Sequence, residues 1–289
     1  MSSRYDTISF LSDFGLEDEF VGVVHSVIRQ IAPEVRVIDI THGIPPHDVR
    51  AGGLALARAA QYLAPGVVVA VVDPGVGTRR RPIAVEVGDG ASVLVGPDNG
   101  LLAPAVGLCG GATRAVELVA PEYRLPTVGG TFDGRDVFAP AAAHLCNGVP
   151  LTALGPELDP ATLLPGILPV ARMEGDELVT EVLWIDRFGN VQLDVGPDEI
   201  AGLGEEFRLR RGTESRTVVR VTAFDEIPAG RIGALVDSSG LVALAVARGS
   251  AAAVLGVTEG DEIRLVPLDA DEAGGVVTPV DLSPRPPES

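Results

Sequence analysis

Three short runs rich in apolar and β-branched residues, Ile8–Leu11, Val35–Ile40 and Val67–Val72, constrain this chain more than any other feature. Each is nearly continuous rather than alternating, the pattern of a strand buried on both faces of a parallel sheet. Between the first two, Phe20, Val23, Val24, Val27, Ile28 and Ile31 recur at helical spacing, and a second helical pattern, roughly His47 to Leu63, leads to the third. That alternation predicts an α/β fold, a mostly parallel sheet covered by helices. Gly88-Asp89-Gly90, between Ile83–Val87 and Ser92–Val95, predicts a hairpin.

Near Asp176 the pattern changes. Leu178–Ile185, Phe207–Arg210, Arg216–Thr222 and Glu262–Val266 read as strands of a smaller β-barrel or sandwich. The proline-rich passage Leu164–Arg172 is the expected boundary. It separates an N-terminal α/β domain over residues 1–168 from a C-terminal β-barrel domain over 169–268. The acidic, Gly/Pro-rich tail, residues 269–289, is expected to be disordered.

Charge narrows the function. The 289 residues carry 40 acidic and 22 basic side chains, a net charge of -18, and every basic residue is arginine. No lysine exists for a Schiff base or a phosphate loop. So negative a field opposes phosphate backbones and anionic membranes, so neither nucleic acid nor membrane is an expected partner, and a cationic or zwitterionic small molecule is tolerated better. Cys109 and Cys146 lie outside any CxxC pair and read as reduced packing residues. The opening MSSRYDTISF lacks the apolar core of a signal peptide, and the uncharged stretch Val137 to Pro156 is broken by prolines, so a cytoplasmic location is expected.

In parallel sheets ligands bind beyond the carboxyl ends of strands. The three runs lead into Ser12-Asp13, into Asp39 with Thr41-His42, and into Asp73 with the turn Pro74-Gly75-Val76-Gly77-Thr78. Any one such aspartate can serve as a cap or turn residue; three at one sheet edge suggest a site. The Asp73 turn lacks GK[ST] and no GxGxxG follows the first strand, which removes phosphate-loop and dinucleotide readings. A divalent ion on Asp13, Asp39, Asp73 and His42 stays open as an alternative. Of the other histidines, His25 falls near the apolar stripe of its helix and reads as core, and His144 reads as structural; His42 and His47 flank a loop near the site.

The segments LSDFGLEDEFVGVV, VIDITHGIPPHDVRAGG, VVDPGVGTRRR, GPDNGLL, TFDGRDVFAPAAAHL, IDRFGNV and SSGLVALAVARGSAA, in order over residues 8 to 266, resemble the S-adenosylmethionine hydroxide adenosyltransferases. These are adenosine-forming hydrolases related to fluorinase and chlorinase. The resemblance implies an α/β domain followed by a β-barrel domain and a homotrimer with S-adenosyl-L-methionine bound at the subunit interface. It implies no cofactor and no metal, because the leaving group is a neutral thioether. On the matching positions, Asp13 holds the ribose hydroxyls, Asn190 reads the adenine edge, Phe188 and Phe224 wall the nucleoside, and Ser238 meets the methionine end. Asp73 and Arg80 handle the attacking water.

One position departs from the pattern. Where the family has a histidine, in TFHGRD, this chain has Asp133, lowering the reference base strength by about 3.5 kcal/mol at about 1.36 per pKa unit. Two carboxylates that share a proton restore a usable base, so the expectations are an Asp73–Asp133 pair that works together or a protein that holds the ligand without turning it over. Ala243 and Ala247 likewise stand where a glutamate and an asparagine are expected. Halide chemistry is disfavoured, because the halogenating relatives carry a tyrosine at the position of Asp73, and a carboxylate about 4 Å from an anion costs about 4 kcal/mol at an effective dielectric of 20.

Overall fold

The computed structural model describes residues 5–126, 129–166 and 168–268, which form two compact units dividing between Leu168 and Pro169. The tail from residue 269 lies outside the described residues.

In the first unit the chain runs β1 (Thr7–Ser12), α1 (Phe20–Ile31), β2 (Arg36–Thr41), α2 (Val49–Ala60), β3 (Val67–Val71), β4 (Pro82–Val87), β5 (Ser92–Pro97), α3 (Ala103–Leu108), β6 (Ala112–Glu117), α4 (Ala139–Cys146) and β7 (Glu157–Leu158). These strands form one sheet in the order β2-β1-β3-β5-β4-β6-β7. β2, β1, β3 and β5 are mutually parallel, and β4 is joined to β5 as the expected antiparallel hairpin. Helices α1 and α4 pack together on one face, burying Val24 and Ile28 beside the small residues Ala139, Ala142 and Ala143; Leu56 of α2 joins Leu101, Leu102 and Ala105 in a second apolar cluster. The alanines bring α4 close to the sheet because little side chain stands between.

Two expectations are corrected here. β2 is an edge strand, and its residues are partly or fully exposed rather than buried on both faces; Arg36 and Asp39 within the run already break its apolar continuity. The second helix starts at Val49, not His47. His47 has φ +68, outside the helical region, and the Asp48 carboxylate caps the helix by accepting from the Ala51 N–H at 2.8 Å.

The second unit comprises β8 (Arg172–Glu174), β9 (Glu177–Ile185), β10 (Val191–Leu193), β11 (Glu206–Arg211), β12 (Glu214–Arg220), β13 (Ile232–Val236), β14 (Val242–Val246), α5 (Ala251–Leu255) and β15 (Glu262–Pro267). The order β10-β14-β13-β12-β11-β15-β9 closes through a β9–β10 pairing into a seven-stranded barrel, with β8 added beside β9. Phe207, Leu209, Leu193 and Val182 fill it. The barrel and the mostly parallel sheet together are the fold class expected from sequence.

Candidate active site

β1 and β3 are neighbours in register, Ser12 opposite Val71, so their carboxyl ends deliver Asp13 and Asp73 to the same edge of the sheet. The Asp13 N–H donates to Val71 O at 3.3 Å, and the Asp13 Oδ2 accepts from the His47 N–H at 2.8 Å. His47, held in the left-handed region, thereby spends its backbone donor on a carboxylate of the pocket.

After Asp73 the chain turns tightly. Thr78 donates its hydroxyl to Gly75 O at 2.6 Å and accepts from the Arg80 N–H at 3.3 Å, which folds Arg80 back onto Asp73. Arg80 Nε donates to Asp73 Oδ1 at 3.2 Å and Nη2 to Asp73 Oδ2. The same Nη2 donates to Asp133 Oδ2 at 2.6 Å. Side chains of Asp73 and Arg80 are only 5% and 8% exposed and that of Asp133 20%, so this ion triplet is shielded rather than solvated. Arg80 is therefore no surface arginine; its guanidinium carbon also stacks 5.5 Å from the Phe138 ring centroid. Its neighbour Arg81 pairs instead with the buried Asp98.

Burial pushes the Asp73 carboxyl above the ordinary carboxylate range and the Asp133 charge adds to this, outweighing the opposing Arg80 guanidinium. Asp133 precedes a wide π-type turn, Gly134–Phe138, that leads into α4. Such turns recur at functional sites. A Cβ at Gly134 would lie 3.0 Å from the Phe14 ring, so the close aromatic packing admits little more than hydrogen there.

Asp13, Asp73 and Asp133 line one cavity of about 240 Å³, together with Phe14, Phe132 and His47. Phe14, Phe20 and Phe132 pack edge-on or tilted with centroids 5.1 to 5.9 Å apart. These rings were not singled out from sequence, although Phe14 and Phe132 each adjoin a residue that was. The cavity offers acidic groups over an aromatic floor, a setting for a cation-bearing ring compound.

The barrel unit assembles its own group. Phe188, Asn190 and Phe224 line an open cavity of about 1080 Å³ with Arg248 and Ser250. Asn190, Phe224 and Ser238 line a second, of about 450 Å³, with Trp184 and Asp237. Phe188 and Phe224 are 79% and 54% exposed, so neither is barrel core. Two aspartates missed in the sequence organise these loops. Asp186 accepts from the N–H groups of Phe188 and Asn190 and from the Asn190 amide at 2.8 to 2.9 Å. Asp237 accepts from the N–H groups of Ser239 and Leu241. Aspartate at the head of a turn was the signal available for both. Gly189 is required between Phe188 and Asn190: its φ is +83 and a Cβ would meet Ser250 Oγ at 2.2 Å. Ala243 is buried and Ala247 exposed on these cavities.

The four-residue metal reading does not hold as a set. Asp73 is taken by Arg80 and Asp13 by His47, and among the described residues only His25, Asp39 and His42 gather at ligand spacing. His25 is partly exposed and bonds Asp39 at 2.8 Å, so it is not the core residue expected. His144 packs on Tyr123 with its pKa lowered by burial. Both cysteines are free, and burial pushes the Cys146 thiol up to about 12, assisted by the Asp6 charge, which makes it inert. No helix among the described residues is long and apolar enough to cross a membrane.

Comparison with known proteins agrees with this layout. Residues 8–155 match the SAM hydroxide adenosyltransferase N-terminal domain and residues 180–264 the C-terminal domain. An (R)-S-adenosyl-L-methionine hydrolase of Salinispora tropica is 47% identical over 89% of this chain and 97% of its own length. A protein of the same name from Thermus thermophilus is 45% identical over 90% and 99%. The crystal structure of an uncharacterized conserved protein from Thermotoga maritima superposes with a TM-score of 0.83 at 34% identity, covering 90% of this chain and 99% of that one. With both domains matched in order and close relatives covered almost end to end, the chain belongs to the SAM hydroxide adenosyltransferase family.

Proposed function

We propose that this chain hydrolyses S-adenosyl-L-methionine to adenosine and L-methionine. The observation that carries the reading is the Arg80 guanidinium holding Asp73 and Asp133 side by side in the cavity that also contains Asp13. Water attacks the ribose C5' carbon; the C5'–S bond breaks with its electron pair passing to sulfur, and methionine leaves as a neutral thioether. No acid is needed for that departure. The proton lost by water goes to Asp73, whose raised pKa makes it a stronger base than an ordinary aspartate. Arg80 fixes the carboxylate's orientation and also pairs with Asp133; of the two outcomes weighed from the sequence, this shared donor supports the one in which Asp73 and Asp133 work together. Positioning and fixed charge of this kind supply several kcal/mol of barrier reduction, about 3 to 4 per well-placed group.

Asp13 is assigned to the ribose diol, since a carboxylate accepts from two hydroxyls. In the barrel unit, Phe188 and Phe224 are assigned to the purine faces, Asn190 to its edge and Ser238 to the amino acid group. The assembly proposed is a homotrimer with the ligand at the subunit interface, and the location cytoplasmic. Three carboxylates around one cavity repel halide, which supports water as nucleophile. Relatives bear the (R) designation in their names; with the amino acid centre named separately as L, the designation falls on sulfur, and the (R)-sulfonium epimer is the substrate assigned here.

The test is incubation of each sulfonium epimer in ¹⁸O-water, followed by chromatography and mass spectrometry. Equal adenosine and methionine from the (R) form, with ¹⁸O in the adenosine hydroxyl alone, supports the reading. Stoichiometric, unchanged ligand would make the protein a binder, and a 5'-halogenated nucleoside formed in added chloride would make it a halide-using transferase.

A further inference from the structure

We propose that His25, Asp39 and His42 form a binding site for one divalent transition-metal ion of borderline hardness, with zinc the natural member. The three donors come from three places in the chain: His25 from α1, Asp39 from β2 and His42 from the residue just past β2. Their ligand atoms lie within 4.8 Å of one another. His25 Nε2 stands 2.8 Å from Asp39 Oδ1, and His42 Nε2 stands 3.1 Å from the same oxygen. Two atoms each about 2.1 Å from a shared ion, at angles of about 90 to 110°, are about 3.0 to 3.4 Å apart, so both nitrogen–oxygen separations are close to those of ligands sharing one ion.

His42 supplies the second observation. Its side chain is 3% exposed, yet Nε2 finds no hydrogen-bond partner of good geometry, with Asp39 Oδ1 3.1 Å away. That is a poor arrangement for a histidine–carboxylate hydrogen bond. It is the expected one for two ligands of a single ion, in which the ion takes the ring axis and the neighbouring ligand sits to one side. The other ring nitrogen, Nδ1, is 2.7 Å from the buried Ser12 Oγ, and the ring packs edge-on against Phe10 at 4.6 Å. Oxygen partners of this kind orient histidine ligands in metal sites. His25 and Asp39 are 35% and 42% exposed, which leaves an entry path and open coordination positions for water. Two imidazoles and one carboxylate suit zinc, cobalt, nickel or ferrous ions better than calcium or magnesium.

An ion here would clip α1 to the end of β2, next to groups that shape the cavity. His42 O accepts from the Gly15 N–H at 2.8 Å, and Ser12 directly precedes Asp13. The site is thus a structural clamp behind the proposed substrate loops, built from residues the proposed hydrolysis does not use.

The probe is Co²⁺ added to the untagged full chain, followed by visible spectroscopy and equilibrium dialysis, with Zn²⁺ as competitor. One Co²⁺ bound per chain, with d–d absorption displaced by Zn²⁺ and affinity weakened at least tenfold in both His25→Ala and Asp39→Asn, is the expected result. The melting temperature should rise with Zn²⁺ in the parent chain and not in the variants. His25 is partly exposed and alanine favours helix, so circular dichroism should show both variants folded. Absence of stoichiometric binding, or equal affinity in parent and variants, would overturn the proposal.

Discussion

Arg80 turns its Nη2 toward Asp133 at 2.6 Å, so the residue standing where the resemblance implies a histidine is held by the same guanidinium that grips Asp73. One positive charge between two carboxylates leaves the group net negative, and protonation of either acid changes the field at the other. The departure at position 133 therefore has a physical partner in the fold: an acid accepts from Arg80 where a neutral imidazole would serve less well.

If Asp73 takes the proton of water, Asp73→Asn should reduce turnover by about 10²- to 10⁴-fold, the span of a positioned general base, while the dissociation constant for S-adenosylmethionine changes little. Single-turnover kinetics with calorimetric binding separate the two. Turnover preserved in the variant would remove Asp73 from the reacting centre.

The pH dependence follows from the direction of the Asp73 shift. Burial, helped by the Asp133 charge, raises the carboxyl above its usual 3.8 against the opposing pull of Arg80. The base is lost on protonation, so the acid limb of kcat/KM should lie above that value. Stability runs the other way. A raised folded-state pKa favours the protonated fold, so this contribution is complete below 3.8 and disappears as pH rises through the folded pKa. Relative to the parent, Asp73→Asn should gain stability over that window. Urea denaturation across it measures the difference, and a parallel pair of curves would contradict the shift.

Asp133→His restores the residue type implied by the resemblance. The neighbouring guanidinium disfavours a second cation, so the imidazole should stay neutral near pH 7 and act as a base there. The rate at neutral pH should rise by about tenfold or more, with the pH optimum moving toward neutrality. An unchanged profile would mean that position 133 takes no part in proton transfer.

The clustering of Asp13 and Asp73 in the candidate site was legible because ligands in parallel sheets bind where strands end. The apolar runs before Asp13 and Asp73 located both, and the parallel sheet fold class followed from the same alternation. The barrel was read from four strands, while β10, β13 and β14 passed unnoticed: β10 has only three residues, and β13 and β14 are short apolar runs without alternation. Long-range partners were not visible either. Nothing local shows that His25 reaches Asp39 from a helix, or that His47 leaves the helical region to bond Asp13. Asp186 and Asp237 were within reach of a closer reading, since an aspartate opening a Gly-containing turn commonly accepts from the backbone that follows.

The turn carrying Phe188 and Asn190 offers a test in the barrel unit that changes none of the side chains proposed to meet the ligand. Gly189 combines φ +83 with a space closed by Ser250, where a Cβ would fall 2.2 Å from Oγ and 2.8 Å from Cα. Gly240, beside Ser238 and Ser239, has a similar φ of +82 but open space around it. Gly240→Ala should therefore cost only the left-handed strain, about 1 to 2 kcal/mol. Gly189→Ala carries that strain plus displacement of Ser250, whose Oγ caps α5 by accepting from the Ala253 N–H at 3.1 Å, about 3 kcal/mol or more in total. Because the clash moves the backbone between Phe188 and Asn190, S-adenosylmethionine affinity should fall more than tenfold in Gly189→Ala if those two side chains hold the nucleoside. Denaturation curves and calorimetry on both variants give the comparison. A destabilised Gly189→Ala protein that still binds with parental affinity would remove Phe188 and Asn190 from the ligand site.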